Sequence, residues 1–424
     1  MLVQFTVQNY KCFKEEVKFS MIASNYDKDT RIEDNTFFIE KFNLRLLKSA
    51  VLYGANASGK TKFIAAMGFF RHFTVNSSDG QAGDEINIDS FRLSTTTKNT
   101  PTVFEIIFIL DNELYRYGYE VDKYKVHAEW LYHRPKTKEI ELFYREGQEF
   151  SLHKTRFKVK DLVDRKRIRE NTLLLSIAAQ FNDPVAQSVL YYMNNMSVLS
   201  GIHDHGYGDF TIDRMMDNEQ NKKQTIEFLK KADLGIDSIE IEKMDMEGLP
   251  DELLAQVDNA NFYESSALHK VYDEQESVSD KIKFSMNADE SQGTKKYFAL
   301  SGLILETLQE GDILFVDELA NKFHPNLTCH LIELFNSKKT NPNNAQLVFN
   351  THDTNLLSSG LFRRDQIWFV EKDRYGAADM YALSDFKKGK ARKDDNFEKN
   401  YIQGKYGAIP YLGDFDKLFE DTKS

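Results

Sequence analysis

Gly54-Ala55-Asn56-Ala57-Ser58-Gly59-Lys60-Thr61 sets two glycines, a lysine and a hydroxyl at the spacing G-x-x-x-x-G-K-[ST], and Lys62 continues the run. Small residues let the backbone amides of such a loop converge on phosphate oxygens at the N-terminus of the next helix. Lys60 is placed to reach β- and γ-phosphates, and the Thr61 hydroxyl to ligate Mg²⁺. A second group lies far along the chain, where the apolar run Ile313-Leu314-Phe315-Val316 ends in Asp317 and Glu318. Asp317 suits a metal, and Glu318 suits a general base acting on an attacking water. By itself this pair reads equally as a solvated acidic turn after a buried strand.

Glu290-Ser291-Gln292-Gly293-Thr294 forms a third group, directly before Lys295–Leu308. In that run Tyr297, Phe298, Leu300, Leu303, Ile304 and Leu308 fall near helical spacing. A helix start there offers a hydroxyl, free amides and a positive dipole end. An ordinary serine N-cap with a glycine turn has the same composition. The fourth group, Phe349-Asn350-Thr351-His352-Asp353, ends an apolar strand with His352, where a γ-phosphate contact is expected if the strand lies beside the others.

These groups need elements to position them. Ala50–Tyr53 reads as a strand into the glycine loop, and Lys62–Met67 as the helix out of it. Strands are expected at Gln4–Gln8, Glu16–Ile22, Ser49–Tyr53, Thr102–Leu110, Leu114–Val121 and His127–His133. The second and third from last form a hairpin through Asp111-Asn112. Helices are expected at Asp161–Arg167, Asn171–Gln180, Pro184–Met193 and Asn218–Ala232, then a strand at Ile236–Met244. Ile313–Val316, Ala345–Asn350 and Gln366–Val370 are apolar runs of strand length, suited to a parallel sheet covered on both faces. The fold class expected is α/β: a nucleotide-binding domain of mixed and parallel sheet with an antiparallel β lobe, interrupted by a mainly helical insertion. Its three parts are residues 1–150, 151–280 and 281–424.

With 424 residues and 41% hydrophobic content, the chain can bury a sizeable core. A net charge of −11 repels nucleic acid overall, so any such contact needs a local basic patch. The best one runs from His153 to Arg169, with Lys154, Arg156, Lys158, Lys160, Arg165, Lys166, Arg167 and Arg169 against Asp161 and Asp164. Lys387–Lys393 is a second basic run, read as a turn. His203-Asp204-His205 lacks a third ligand at metal spacing and reads as a polar loop. Tyr191-Tyr192 with Met193 and Met196 reads as packing. Cys12 and Cys329 form no CxxC motif, which suits a reducing, cytoplasmic setting. No apolar run of about 20 residues suggests a membrane span.

Taken in order, the four groups resemble an ATP-binding-cassette ATPase of the SMC/RecF type, and within that type the small bacterial defence ATPases of the RloA/AbiLi kind. Also similar are Val7–Lys14, Val316–Leu319 followed by His324-Pro325, Arg364–Glu371, and Tyr401–Pro410 with Gly404, Gly407 and Pro410. The resemblance implies ATP and Mg²⁺ as cofactors, with Lys60, Glu318 and His352 catalytic and with Thr61 and Asp317 at the metal. It implies a homodimer, or a higher homo-oligomer, in which each ATP lies between one copy's loop and the other's signature. Ser291, Gln292, Gly293 and Thr294 would then act in trans. It further implies antiviral defence through a second protein, a nuclease or toxin. Ala320 and Asn350 depart from the family's usual acidic residue and threonine, which implies slow turnover. The segment near Asp89–Leu93 is the nearest candidate for a Q-loop. Two alternatives stay open: a RecF-like DNA-repair ATPase, and an ATP-gated scaffold without turnover.

Overall fold

The computed structural model describes residues 1–25, 30–199, 205–243, 263–386, 395–411 and 413. His203, Asp204, Met244 and the basic run Lys387–Lys393 lie outside these.

A six-stranded sheet carries the chemistry. Its order is Ser197–Leu199, Ile313–Val316, Gln346–Asn350, Ser49–Tyr53, Ile367–Lys372, Ala378–Ala382. The first five strands run parallel and the last is antiparallel. Ile313–Val316, Gln346–Asn350 and Ser49–Tyr53 are buried along their whole length, as continuous apolar runs covered on both faces must be. Parallel pairing brings their carboxyl ends to one edge. Gly54, Asp317 and Thr351 each leave from that edge.

A seven-stranded antiparallel sheet forms the second layer, running from Glu149–Leu152 through Ile140–Glu146, Val126–Arg134, Glu113–Val121, Thr102–Leu110 and Leu2–Gln8 to Val17–Ser20. The hairpin turns at Asp111 and Asn112, whose φ values of 49° and 59° are the left-handed pair that a two-residue turn requires. Between the sheets lies the helix Lys60–Asn76. Its Phe63 and Phe70 meet Phe5 edge-on, and Phe70 stacks on Tyr119 at 5.3 Å. Gln346 ties the layers together, its side-chain amide donating to Leu2 O and Leu47 O at 3.1 and 3.0 Å.

Helices Leu174–Gln180 and Pro184–Asn194 lie against the helix Lys60–Asn76. Tyr192, Met193 and Met196 are buried there, whereas Tyr191 is exposed. Helices His205–Asp217 and Glu219–Lys230 lie against the long helix Gln292–Glu310. Strands Ile236–Lys243, Tyr263–Tyr272 and Val278–Ser285 make a small antiparallel sheet.

Several elements go beyond the sequence expectations. Ser197–Leu199 has only three residues, too few to show a period. Val278–Ser285 is exposed at every residue but its last, so no buried face marks it. The expected helix Asp161–Arg167 is shorter, Lys160–Asp164, because Arg165 and Lys166 leave helical geometry, Lys166 with φ 51°. Among the described residues no helix is long and apolar enough to cross a membrane.

Candidate functional site

The glycine loop joins the strand Ser49–Tyr53 to the helix Lys60–Asn76, and its shape depends on residues without side chains. A Cβ on Gly54 would stand 2.3 Å from Val370 O. Gly59 has φ 125°, and its Cβ would stand 2.9 Å from Cys12 Sγ. Ala57 also takes a left-handed conformation, φ 61°. Lys60 is almost fully buried and folds back on the loop, donating to Gly54 O at 2.7 Å and Ala55 O at 3.1 Å. Burial pushes its ammonium down to about 8, although Asp317 and Glu318 pull the other way.

Adjacent strands deliver the carboxylates. Thr61 Oγ1 donates to Asp317 Oδ1 at 3.0 Å, across 256 residues of sequence. Asn350 Nδ2 donates to the same oxygen, and Asn350 Oδ1 accepts from Glu318 N at 2.8 Å. Asn350 thus clamps both acidic residues from the middle strand. Glu318 sits in a left-handed turn, φ 54°, and its Oε2 accepts from Asn321 Nδ2 at 3.0 Å. His352 faces the same space. Burial first, then the Lys60 charge, lowers its pKa, which favours neutral imidazole.

Asn56, Ala57, Ser58, Gly59, Lys60, Thr61, Lys62, Glu318, His352 and Lys372 line one cleft of about 770 Å³. The structure therefore gathers three of the four sequence groups around the glycine loop. A hydroxyl next to a buried carboxylate is a donor set that fits Mg²⁺, which takes few protein ligands and completes its shell with phosphate oxygens and water. Amides, a lysine and a helix start can hold a polyphosphate, and a carboxylate on the cleft wall can orient a water.

The third group, Glu290–Thr294, lies elsewhere. Ser291 caps the helix Gln292–Glu310, its Oγ accepting from Thr294 N at 3.1 Å. Ser291, Gly293 and Thr294 line a separate cleft with Lys322, Phe323, His324 and His330. Among the described residues none lines both clefts. Gln292 turns to Lys322, which donates to its Oε1 at 3.4 Å.

Two participants carry little sequence signal. Lys372, at the end of the strand Ile367–Lys372, lines the glycine-loop cleft; only knowledge that this strand neighbours Ser49–Tyr53 points to it. Asn350 stood out as a departure from a familiar residue, but its clamp needs the sheet order. The Asp89–Leu93 segment lies beside the N-terminal strand, where Lys11 N donates to Asp89 O at 2.8 Å and Phe91 N to Asn9 Oδ1 at 3.0 Å.

A protein-family model described as "AAA domain, putative AbiEii toxin, Type IV TA system" matches residues 49–358. Among solved structures, the SMC head domain from Thermotoga maritima aligns at 12% identity and a TM-score of 0.40, covering 90% of this chain and 98% of that one. No curated protein matches in sequence.

Proposed function

The chain belongs to that AAA-domain family, a P-loop ATPase by fold, and from this premise we propose that it closes as a homodimer around ATP and Mg²⁺ and so controls a separate effector protein. The observation that carries the proposal is the division of the candidate residues between two clefts. One holds the phosphate loop, the acidic pair and His352; the other holds Ser291 and Gly293 at a helix start. A serine-glycine tip that lines a different cleft from its own loop is suited to a second copy's triphosphate.

In this reading the loop amides and Lys60 hold the phosphates, while Thr61 and Asp317 hold Mg²⁺. The metal would supply charge neutralisation between the β- and γ-phosphates. Glu318 accepts a proton from the attacking water, and neutral His352 contacts the γ-phosphate. Ser291 and Gly293 of the opposite copy close over it. Closure linked to ATP gives a switch that an effector can read. A defence role of the RloA/AbiLi kind, with a nuclease or toxin as effector, agrees with the toxin–antitoxin wording of the family description. The three-part division at 150 and 280 is proposed along with it.

Glu318→Gln tests the core of this. With Mg-ATP it should dimerise in analytical ultracentrifugation and turn over at least about 100-fold more slowly, as loss of a general base requires. A variant that stays monomeric, or one that hydrolyses ATP normally, would sink the reading.

A second reading has its own observation. Lys154, Arg156, Lys158, Lys160, Lys166 and Arg167 are all exposed on one short stretch. A phosphodiester backbone could dock there, in which case DNA or RNA should raise ATPase activity with a steep salt dependence.

A further inference from the structure

Lys296 is the second lysine after the serine-glycine tip, on the first turns of the helix Gln292–Glu310, and is only 7% exposed. Its ammonium donates to Glu318 O at 2.7 Å, Asn321 O at 3.1 Å and Leu319 O at 3.4 Å. It also lies 5.2 Å from the ring centroid of Phe323. A buried ammonium persists only where acceptors replace its lost water. Here three acceptors are backbone carbonyls of the one turn that carries Glu318.

That turn is costly on its own. Glu318 and Lys322 both adopt left-handed φ, 54° and 71°, and each such non-glycine residue needs surrounding structure to hold it. Three carbonyls converging on one point also repel unless a cation stands among them. The same turn meets the helix tip directly: a Cβ on Gly293 would lie 2.9 Å from Lys322 O.

We infer that Lys296 is a positioning residue for the ATPase reaction: it fixes the backbone of Glu318 and binds that turn rigidly to the helix that presents Ser291 and Gly293. The inference rests on the reading of Glu318 as the base given above. Lys296 meets the backbone of that turn. It acts through Glu318, so its loss misplaces the carboxylate within an otherwise intact cleft. A displacement of about 1 Å at such a group costs on the order of 100-fold in rate.

Full-length Lys296→Met tests it, because methionine keeps most of the stem and removes the donor. Affinity for a non-hydrolysable ATP analogue, and dimerisation with it, should stay within about threefold of the parent, while turnover at saturating ATP falls by about 100-fold. Lys296→Gln, a shorter neutral donor, is carried alongside and should give a smaller loss. Turnover of both variants within a few-fold of the parent overturns the inference.

Mixed dimers then locate the effect. One copy carries Lys60→Ala, so ATP occupies only the other copy. Lys296→Met in the ATP-bearing copy should cut turnover by about 100-fold, and in the Lys60→Ala copy should spare it. The reverse result would mean that Lys296 serves the signature tip instead, and overturns the assignment. Should the parent chain never dimerise, the trans reading fails, yet the Lys296→Met rate still decides whether Lys296 serves Glu318.

Discussion

Burial pushes the Lys60 ammonium down to about 8 from its ordinary 10.5. Between those values the unfolded chain holds a proton that the folded, ligand-free chain has released, so this group adds stability as pH rises through the window. A bound triphosphate reverses the preference, since its charge favours the ammonium. Binding above about pH 8 should therefore take up a proton, and affinity should fall as pH rises. Calorimetry at about pH 8.5 in two buffers of different ionisation heat measures this; equal heats in both would refute it, and Lys60→Arg should show no uptake. Asn350 is the other decisive residue at this scale. It is fully buried and serves Asp317 and Glu318 N together. Asn350→Ala leaves both without that partner and should cost about 2 kcal/mol in denaturant unfolding, along with most of the turnover.

At the scale of elements, two joints bring helices close to their neighbours. The helix Gln292–Glu310 approaches the helix His205–Asp217 at Gly302, where a Cβ would stand 2.6 Å from Thr211 Oγ1 and 2.8 Å from Thr211 Cα. Thr211 Oγ1 uses that closeness to donate to Ala299 O at 2.9 Å. Gly302→Ala should force the helices apart and lower stability by about 1–3 kcal/mol, and a thermal melt unchanged from the parent would disprove the close joint. The second joint ties the antiparallel sheet to the helix Leu174–Gln180. Buried Glu129 accepts from Leu174 N at 2.6 Å, Leu175 N at 3.0 Å and Tyr117 OH at 3.1 Å, with Arg145 Nη1 at 3.7 Å. Burial raises the Glu129 pKa despite Arg145. Arg145→Met would strand this carboxylate and should destabilise by about 3–5 kcal/mol. The helix expected over Asn171–Gln180 begins three residues late for a related reason: Thr172 O accepts from Arg145 Nη1 at 2.5 Å, outside any helix.

For the whole molecule, the proposal turns on which copy supplies which half of the site. A Ser291→Ala chain mixed with a Lys60→Ala chain should form one active site per dimer at most, built from the wild-type halves of each. Activity well above that of either variant alone would support assembly in trans, and none would argue against it. The legible and illegible parts of the protein divide along the same line. Spacing alone marked the glycine loop, because such a turn needs glycine where a Cβ would strike Val370 O, and lysine where an amine must reach back. Apolar runs marked the buried parallel strands, because a strand covered on both faces has no polar side to show. The sequence by itself determined these local requirements and the candidate groups. Only tertiary structure decided their company. Parallel pairing set Asn350 between Asp317 and the glycine loop and brought Lys372 to the cleft, while Ser291 came to line a separate one. Those facts depend on strand order and helix docking, which arise from contacts hundreds of residues apart and leave no period in the chain.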